Sequence, residues 1–178
     1  MVGPDPDPDP EATRRRSEAL AVEVMELAVP QGVLLAVAES LTAGLVTGTL
    51  ASVPGASQVL RGGVVAYATD LKASLLGVDV GLLASGGAVQ AEVALAMAAG
   101  VAERLGCGYG VATTGVAGPD PQDGQPPGTA YVAVTGPSGR RLASRTGATA
   151  LPGGRAQVRW STVELALSLL VDQLRATG

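Results

Sequence analysis

Residues 33–38, VLLAVA, form an uninterrupted apolar run, with Pro30-Gln31-Gly32 before it and the polar turn Glu39-Ser40-Leu41-Thr42 after it. A short run with sharp ends and no polar alternation fits a strand covered on both faces, as in sheets sandwiched between helices. Residues 42–52, TAGLVTGTLAS, then read as a helix rich in small side chains. A strand that feeds a helix through a tight turn places that turn at its carboxyl end, where open α/β sheets bind ligands.

The rest of the chain repeats this alternation. Residues 1–10 are a Pro-Asp repeat that cannot offset its ordering entropy and reads as a flexible tail, leaving 11–178 as one domain. Leu20, Val24, Leu27 and Ala28 give a helix over 11–29. A second strand is expected at 63–68, followed by Thr69 as N-cap of a helix over 70–76 that Gly77 ends. After a helical turn at Leu82-Leu83, an Ala-rich helix spans 90–106 and a third strand 109–113. Residues 114–128 are irregular, with the first five read as site and the Pro-rich remainder as mobile rim. Gly136-Pro137-Ser138-Gly139 marks a hairpin between 129–135 and 141–146, and a closing helix runs from 155 to 175. The pattern predicts a three-layer α/β/α sandwich with a mixed, mostly parallel sheet.

Absences narrow the chemistry. The chain has no histidine, which excludes a Ser-His-Asp or Cys-His site and any His-ligated metal, and its one cysteine, Cys107, cannot build a zinc site. No metal or organic cofactor is expected, and proton transfer falls to Asp, Glu, Tyr or Lys. A net charge of -4 with scattered basic residues argues against nucleic acid, and no apolar run is long enough for a membrane span. The N-terminus lacks the layout of a signal peptide, so a cytoplasmic protein is expected. Of the 12 basic residues, Lys72 alone is lysine. Arginine keeps its proton in a protein, whereas a desolvated lysine can lose it.

Lys72 falls in the first turn of its helix, where the dipole lowers an amine's pKa, and Tyr67 lies five residues earlier. Ser40 lies near a helix N-terminus, so the residues fit a Ser–Lys nucleophile: neutral Lys72 takes the Ser40 proton, directly or through Tyr67, and Ser40 Oγ attacks an acyl carbon. Backbone N–H groups near 42–44 are candidate oxyanion donors. The plainer reading is that Ser40 or Thr42 caps the helix, Thr42 being the better cap. Gly115 and Gly118 permit close backbone approach to a ligand. Arg155 and Arg159 share one helix face and either grip a phosphate or pair with surface carboxylates.

The segments AESLTAGL (38–45), VPGASQVLRGGVVAYATDLKASLLGV (53–78), GAVQAEVALAMAAGV (87–101), TTGVAGP (113–119), GTAYVAV (128–134) and GGRAQVRWSTVELAL resemble the CinA C-terminal domain family, also called nicotinamide-nucleotide amidases. The resemblance runs from about residue 11 to 175 and implies hydrolysis of the carboxamide of nicotinamide mononucleotide to nicotinate mononucleotide and ammonia. It implies Ser40, Tyr67 and Lys72 as catalytic residues. Glu39, Thr42, Ala43, Gly44, Thr114, Gly115, Gly118, Arg155 and Arg159 are the candidate substrate-binding residues. A small-molecule nucleotide is the expected partner, and the resemblance suggests a homo-oligomer, most simply a dimer. The chain looks like the stand-alone form, without the molybdopterin-binding-like domain of longer relatives. It departs from the family pattern at Ala43, where glycine is usual, at Thr69, where asparagine is common, and at Gln90, where serine is common. The competing expectations are a nucleotide-binding or partner-docking module without turnover, and an amidase for a different small amide.

Overall fold

The computed structural model describes residues 9–178; the tail expected over 1–10 lies outside these except for Asp9 and Pro10. Those two already belong to the first helix. Asp9 accepts the Glu11 N–H as N-cap of α1 (Pro10–Gln31), and Pro10 takes the first helical position, where its missing N–H costs nothing. The helix ends later than Pro30 suggested. Gly32, in the left-handed region at φ 62°, donates back to Ala28 and Val29 and so closes the final turn around the proline.

The remaining elements are β1 (Leu35–Glu39), α2 (Leu45–Ala51), β2 (Leu60–Val65), α3 (Thr69–Leu76), α4 (Val80–Gly86), α5 (Ala91–Leu105), β3 (Tyr109–Gly115), β4 (Ala130–Gly136), β5 (Gly139–Arg145) and α6 (Arg155–Arg175). The sheet order is β2-β1-β3-β4-β5. β2, β1 and β3 pair parallel, while β3–β4 and β4–β5 pair antiparallel. Four strands therefore point one way and β4 the other, so the sheet is mixed as expected, with its pairings divided evenly.

Two cores show that the sheet is covered on both faces. Leu35, Val37, Val111, Val132 and Val134 pack against α1, α2 and α6. Ala36, Ala38, Ala112 and Ala133 pack against residues of α3, α4 and α5. This small-residue face seats α5 directly on the sheet: a Cβ added at Gly110 meets the Ala98 carbonyl oxygen at 2.0 Å. All five β1 residues are buried, the condition inferred from the unbroken apolar run.

Several boundaries move, and each move matters for the site. Glu39 is the last residue of β1 rather than part of the turn, and α2 starts only at Leu45. Thr42 therefore does not cap it; Gly44 holds the N-cap position, at φ 95°, without a side-chain cap. Ala68, not Thr69, precedes α3. β2 stops at Val65, so Tyr67 lies beyond the strand. Thr114 and Gly115 extend β3 rather than opening the loop. Gln90 sends its side-chain amide backwards, to the carbonyls of Leu82 and Gly87, and so closes the end of α4 rather than capping α5. No described helix is long and apolar enough to cross a membrane.

Candidate active site

Strand β1 alternates its side chains between the two faces. Glu39 consequently turns toward α2, and Ser40, the next residue, toward the opposite face. The parallel neighbour β2 ends beside it: the Ala66 N–H donates to the Glu39 carbonyl, after which the chain turns through Tyr67 into α3. This topology brings two distant residues together. Lys72 Nζ lies 3.1 Å from Ser40 Oγ.

The surroundings of Lys72 define its chemistry. The side chain is 1 % exposed, and its Nζ also donates to the Ala66 carbonyl at 2.8 Å and the Tyr67 carbonyl at 3.3 Å. Carbonyl oxygens only accept hydrogen bonds and never donate them. In the neutral amine the two N–H bonds satisfy those two carbonyls, which leaves the lone pair for Ser40 Oγ. Burial lowers the pKa from 10.5 to about 8, with nearby Asp123 and Asp70 opposing the fall. Ser40 is 8 % exposed, at the floor of a cavity of about 120 Å³ that it shares with Leu41, Tyr67, Gly115, Gly118 and Arg155.

The other candidates divide between cavity and scaffold. Tyr67 is 54 % exposed, and its phenol oxygen accepts from Arg155 Nη2 at 2.9 Å. Arg155 Nη1 donates to the Gly118 carbonyl at 2.8 Å, so one guanidinium spans the cavity mouth. Gly115 closes up against the Thr129 carbonyl, 2.4 Å from any Cβ placed there. Asp120 and Gln122, on the part of the loop read as rim, also line the cavity. Nothing in their spacing sets them apart from the other polar residues of that loop.

Glu39 is not brought to the cavity. It is fully buried, and its carboxylate accepts the N–H groups of Gly44 and Val46 on one oxygen, and the N–H and hydroxyl of Thr47 on the other. It caps α2 from within the sheet, a role that spacing alone does not display. Gly63 on β2 leaves room for this arrangement, since a Cβ there meets Thr47 Oγ1 at 2.3 Å. Thr42 and Thr114 are also buried and committed elsewhere. Thr42 shares a hydroxyl hydrogen bond of 2.7 Å with Thr113, and Thr114 donates to the Ala88 carbonyl at 2.8 Å.

Ala43 adopts φ 48°, the left-handed region that glycine enters more freely, and it is exposed outside the cavity. Its N–H donates to the Ser40 carbonyl, and that of Gly44 to Glu39, so neither is free to hold an oxyanion. Within the turn, the N–H groups of Leu41 and Thr42 are left as donors. Arg159 faces neither a surface carboxylate nor the cavity. Its Nε donates to the Leu41 carbonyl at 3.0 Å and its Nη2 to the Thr42 carbonyl at 2.7 Å. A roomier hollow of about 640 Å³ beside Gly77, Arg104 and Arg140 contains none of the candidate residues. The described residues hold no cluster of three or more acidic, thiol or imidazole groups suited to a metal.

The chain as a whole is similar to known proteins. The family model for the CinA C-terminal domain matches residues 17–174. A CinA-like protein of Frankia casuarinae is 52% identical over 86% of this chain and 34% of its own length. A putative competence-damage inducible protein of Desulforamulus reducens is 41% identical over 85% of the chain and 36% of its own length. The chain thus spans about a third of the length of these curated relatives. Among solved structures, the competence/damage inducible protein of Agrobacterium tumefaciens aligns with TM-score 0.81 and 32% identity, covering 97% of this chain and 99% of that one. A CinA superfamily protein of Klebsiella pneumoniae aligns with TM-score 0.83 and 25% identity, covering 90% and 98%.

Proposed function

The chain belongs to the CinA C-terminal domain family, and from that premise we propose that it hydrolyses the carboxamide of nicotinamide mononucleotide, giving nicotinate mononucleotide and ammonia. The supporting observation is the 3.1 Å approach of Lys72 Nζ to Ser40 Oγ, with the remaining amine hydrogens held by two carbonyls. Lys72, neutral above about pH 8, accepts the Ser40 proton as Oγ adds to the carboxamide carbon. The oxyanion that forms is met by N–H groups of the serine turn. The amide nitrogen then takes the proton from Lys72 and leaves as ammonia, with an ester on Ser40. Water enters and adds to the ester carbon as Lys72 accepts its proton; Lys72 then returns that proton to Ser40 Oγ as the ester opens, and the acid released ionises to the carboxylate.

Direct transfer between Lys72 and Ser40 is favoured over a relay, because the Tyr67 phenol faces Arg155 rather than the amine. Tyr67 and Arg155 are positioned to meet the substrate at the mouth, Arg155 offering the charge that a 5′-phosphate requires. The protein is then a cytoplasmic enzyme of pyridine-nucleotide salvage that needs no metal. Purified protein is expected to release ammonia from the mononucleotide, and Ser40→Ala to stop it; persistent release by that variant would sink the assignment. Hydrolysis of small amides at equal rates with and without the phosphate indicates instead a different substrate, and tight nucleotide binding with no product indicates a binding module.

A further inference from the structure

Arg159 lies 118 and 117 residues from its two acceptors, the carbonyls of Leu41 and Thr42, which directly follow the candidate nucleophile. No side chain within the turn does comparable work on those carbonyls. A peptide unit is planar and trans, so its carbonyl and its N–H point in opposite directions. The Leu41 carbonyl and the Thr42 N–H belong to one such unit. Fixing the carbonyl toward Arg159 sends the Thr42 N–H to the opposite side, and a guanidinium on the oxygen also draws electron density from that N–H. The Thr42 carbonyl, in the same way, orients the Ala43 N–H onto the Ser40 carbonyl at 3.1 Å.

Glu39 grips the other end of the turn. Its carboxylate uses up the N–H groups of Gly44, Val46 and Thr47. A carboxylate thus takes donors that the reaction does not need, and the guanidinium takes the Leu41 carbonyl behind the one that it does, the Thr42 N–H. We propose that Arg159 is a positioning residue for the Ser40 reaction: it aims and polarises the Thr42 N–H as an oxyanion donor, without touching the substrate. This rests on the Ser40–Lys72 reading above and deepens it.

The test uses full-length protein and two readouts. The first is steady-state turnover of nicotinamide mononucleotide. The second is the rate at which a fluorophosphonate modifies Ser40, a step in which Oγ bonds phosphorus, fluoride leaves and Lys72 takes the hydroxyl proton. Arg159→Ala is expected to lower both kcat and the labelling rate by about 10- to 100-fold, as loss of an aimed donor does, with KM within about twofold. Millimolar guanidinium is expected to restore at least part of both rates in Arg159→Ala, and the pH midpoint set by Lys72 is expected to stay near 8. Arg159→Lys, which keeps charge but loses the two-pronged geometry, is expected to fall between native and alanine, and serves alone if the alanine variant does not fold.

A raised KM at unchanged kcat makes Arg159 a substrate contact and overturns the proposal. So do native labelling rates in the variants, and so does a folded Arg159→Ala that guanidinium fails to rescue. Native protein that labels at Ser40 but leaves the mononucleotide intact removes only the substrate assignment. Native protein that does not label removes the nucleophile reading and this inference with it.

Discussion

Glu39 and Lys72 are both buried charged residues at the carboxyl end of the sheet, 0% and 1% exposed, yet their surroundings differ in kind. The Glu39 side chain meets four donors, the N–H groups of Gly44, Val46 and Thr47 and the Thr47 hydroxyl, at the start of α2. Lys72 meets two carbonyls and one hydroxyl, no carboxylate among the described residues bonds it directly, and burial pushes its pKa down to about 8. The first arrangement holds a turn in place. The second keeps an amine near neutrality beside a serine, at a cost in stability. A buried carboxylate held by four donors is scaffold; a buried amine whose hydrogen-bond partners are all neutral is available for proton transfer.

The sharpest way to break this contrast is to remove the amine. Lys72→Met is expected to lower kcat about 10³-fold or more, as Ser40→Ala should. The same Lys72→Met is expected to gain about 1–3 kcal/mol of stability near neutral pH, read by denaturant titration, since a neutral side chain avoids the burial penalty. Loss of activity together with loss of stability would erase the distinction drawn here.

Glu39→Gln probes the matched partner. Its amide turns N–H groups toward backbone N–H donors that now lack an acceptor, so a loss of about 3 kcal/mol is expected by the same titration. Activity should fall less than for Lys72→Met, because the proposed nucleophile and base remain.

The pH dependence separates the two residues further. The folded amine titrates near 8 and an unperturbed one at 10.5. Below pH 8 both states hold the proton and the full destabilisation is present. Between these values the unfolded chain binds more protons, so stability rises with pH; above 10.5 the penalty is gone. Lys72→Met is expected to flatten that rise. On the activity side, kcat/KM should climb about tenfold per pH unit below 8 and level off above it.

The smallest expected effect lies at the exposed rim. Arg155→Met, which removes the bridge from Tyr67 to Gly118, is expected to raise KM for a phosphorylated substrate about tenfold with little change in stability, since exposed interactions are individually weak. A comparable KM change on an unphosphorylated amide would show that Arg155 shapes the mouth rather than reads the phosphate.

Local pattern in the sequence was enough for the layered α/β architecture, the hairpin at Pro137-Ser138 and the limits of α6, because hydrophobic period and turn chemistry are written in neighbouring residues. The lack of histidine and the solitary lysine likewise directed attention to Ser40 and Lys72. Which polar groups meet was another matter. Glu39, Thr42 and Arg159 have the composition of ligand contacts, yet their partners are backbone groups of α2, the Thr113 hydroxyl and the serine turn. Those pairings span from 5 to 118 residues and depend on strand order and on which face each side chain takes. Only the folded chain fixes these, because a hydrogen bond is decided by a few tenths of an ångström that no local periodicity encodes.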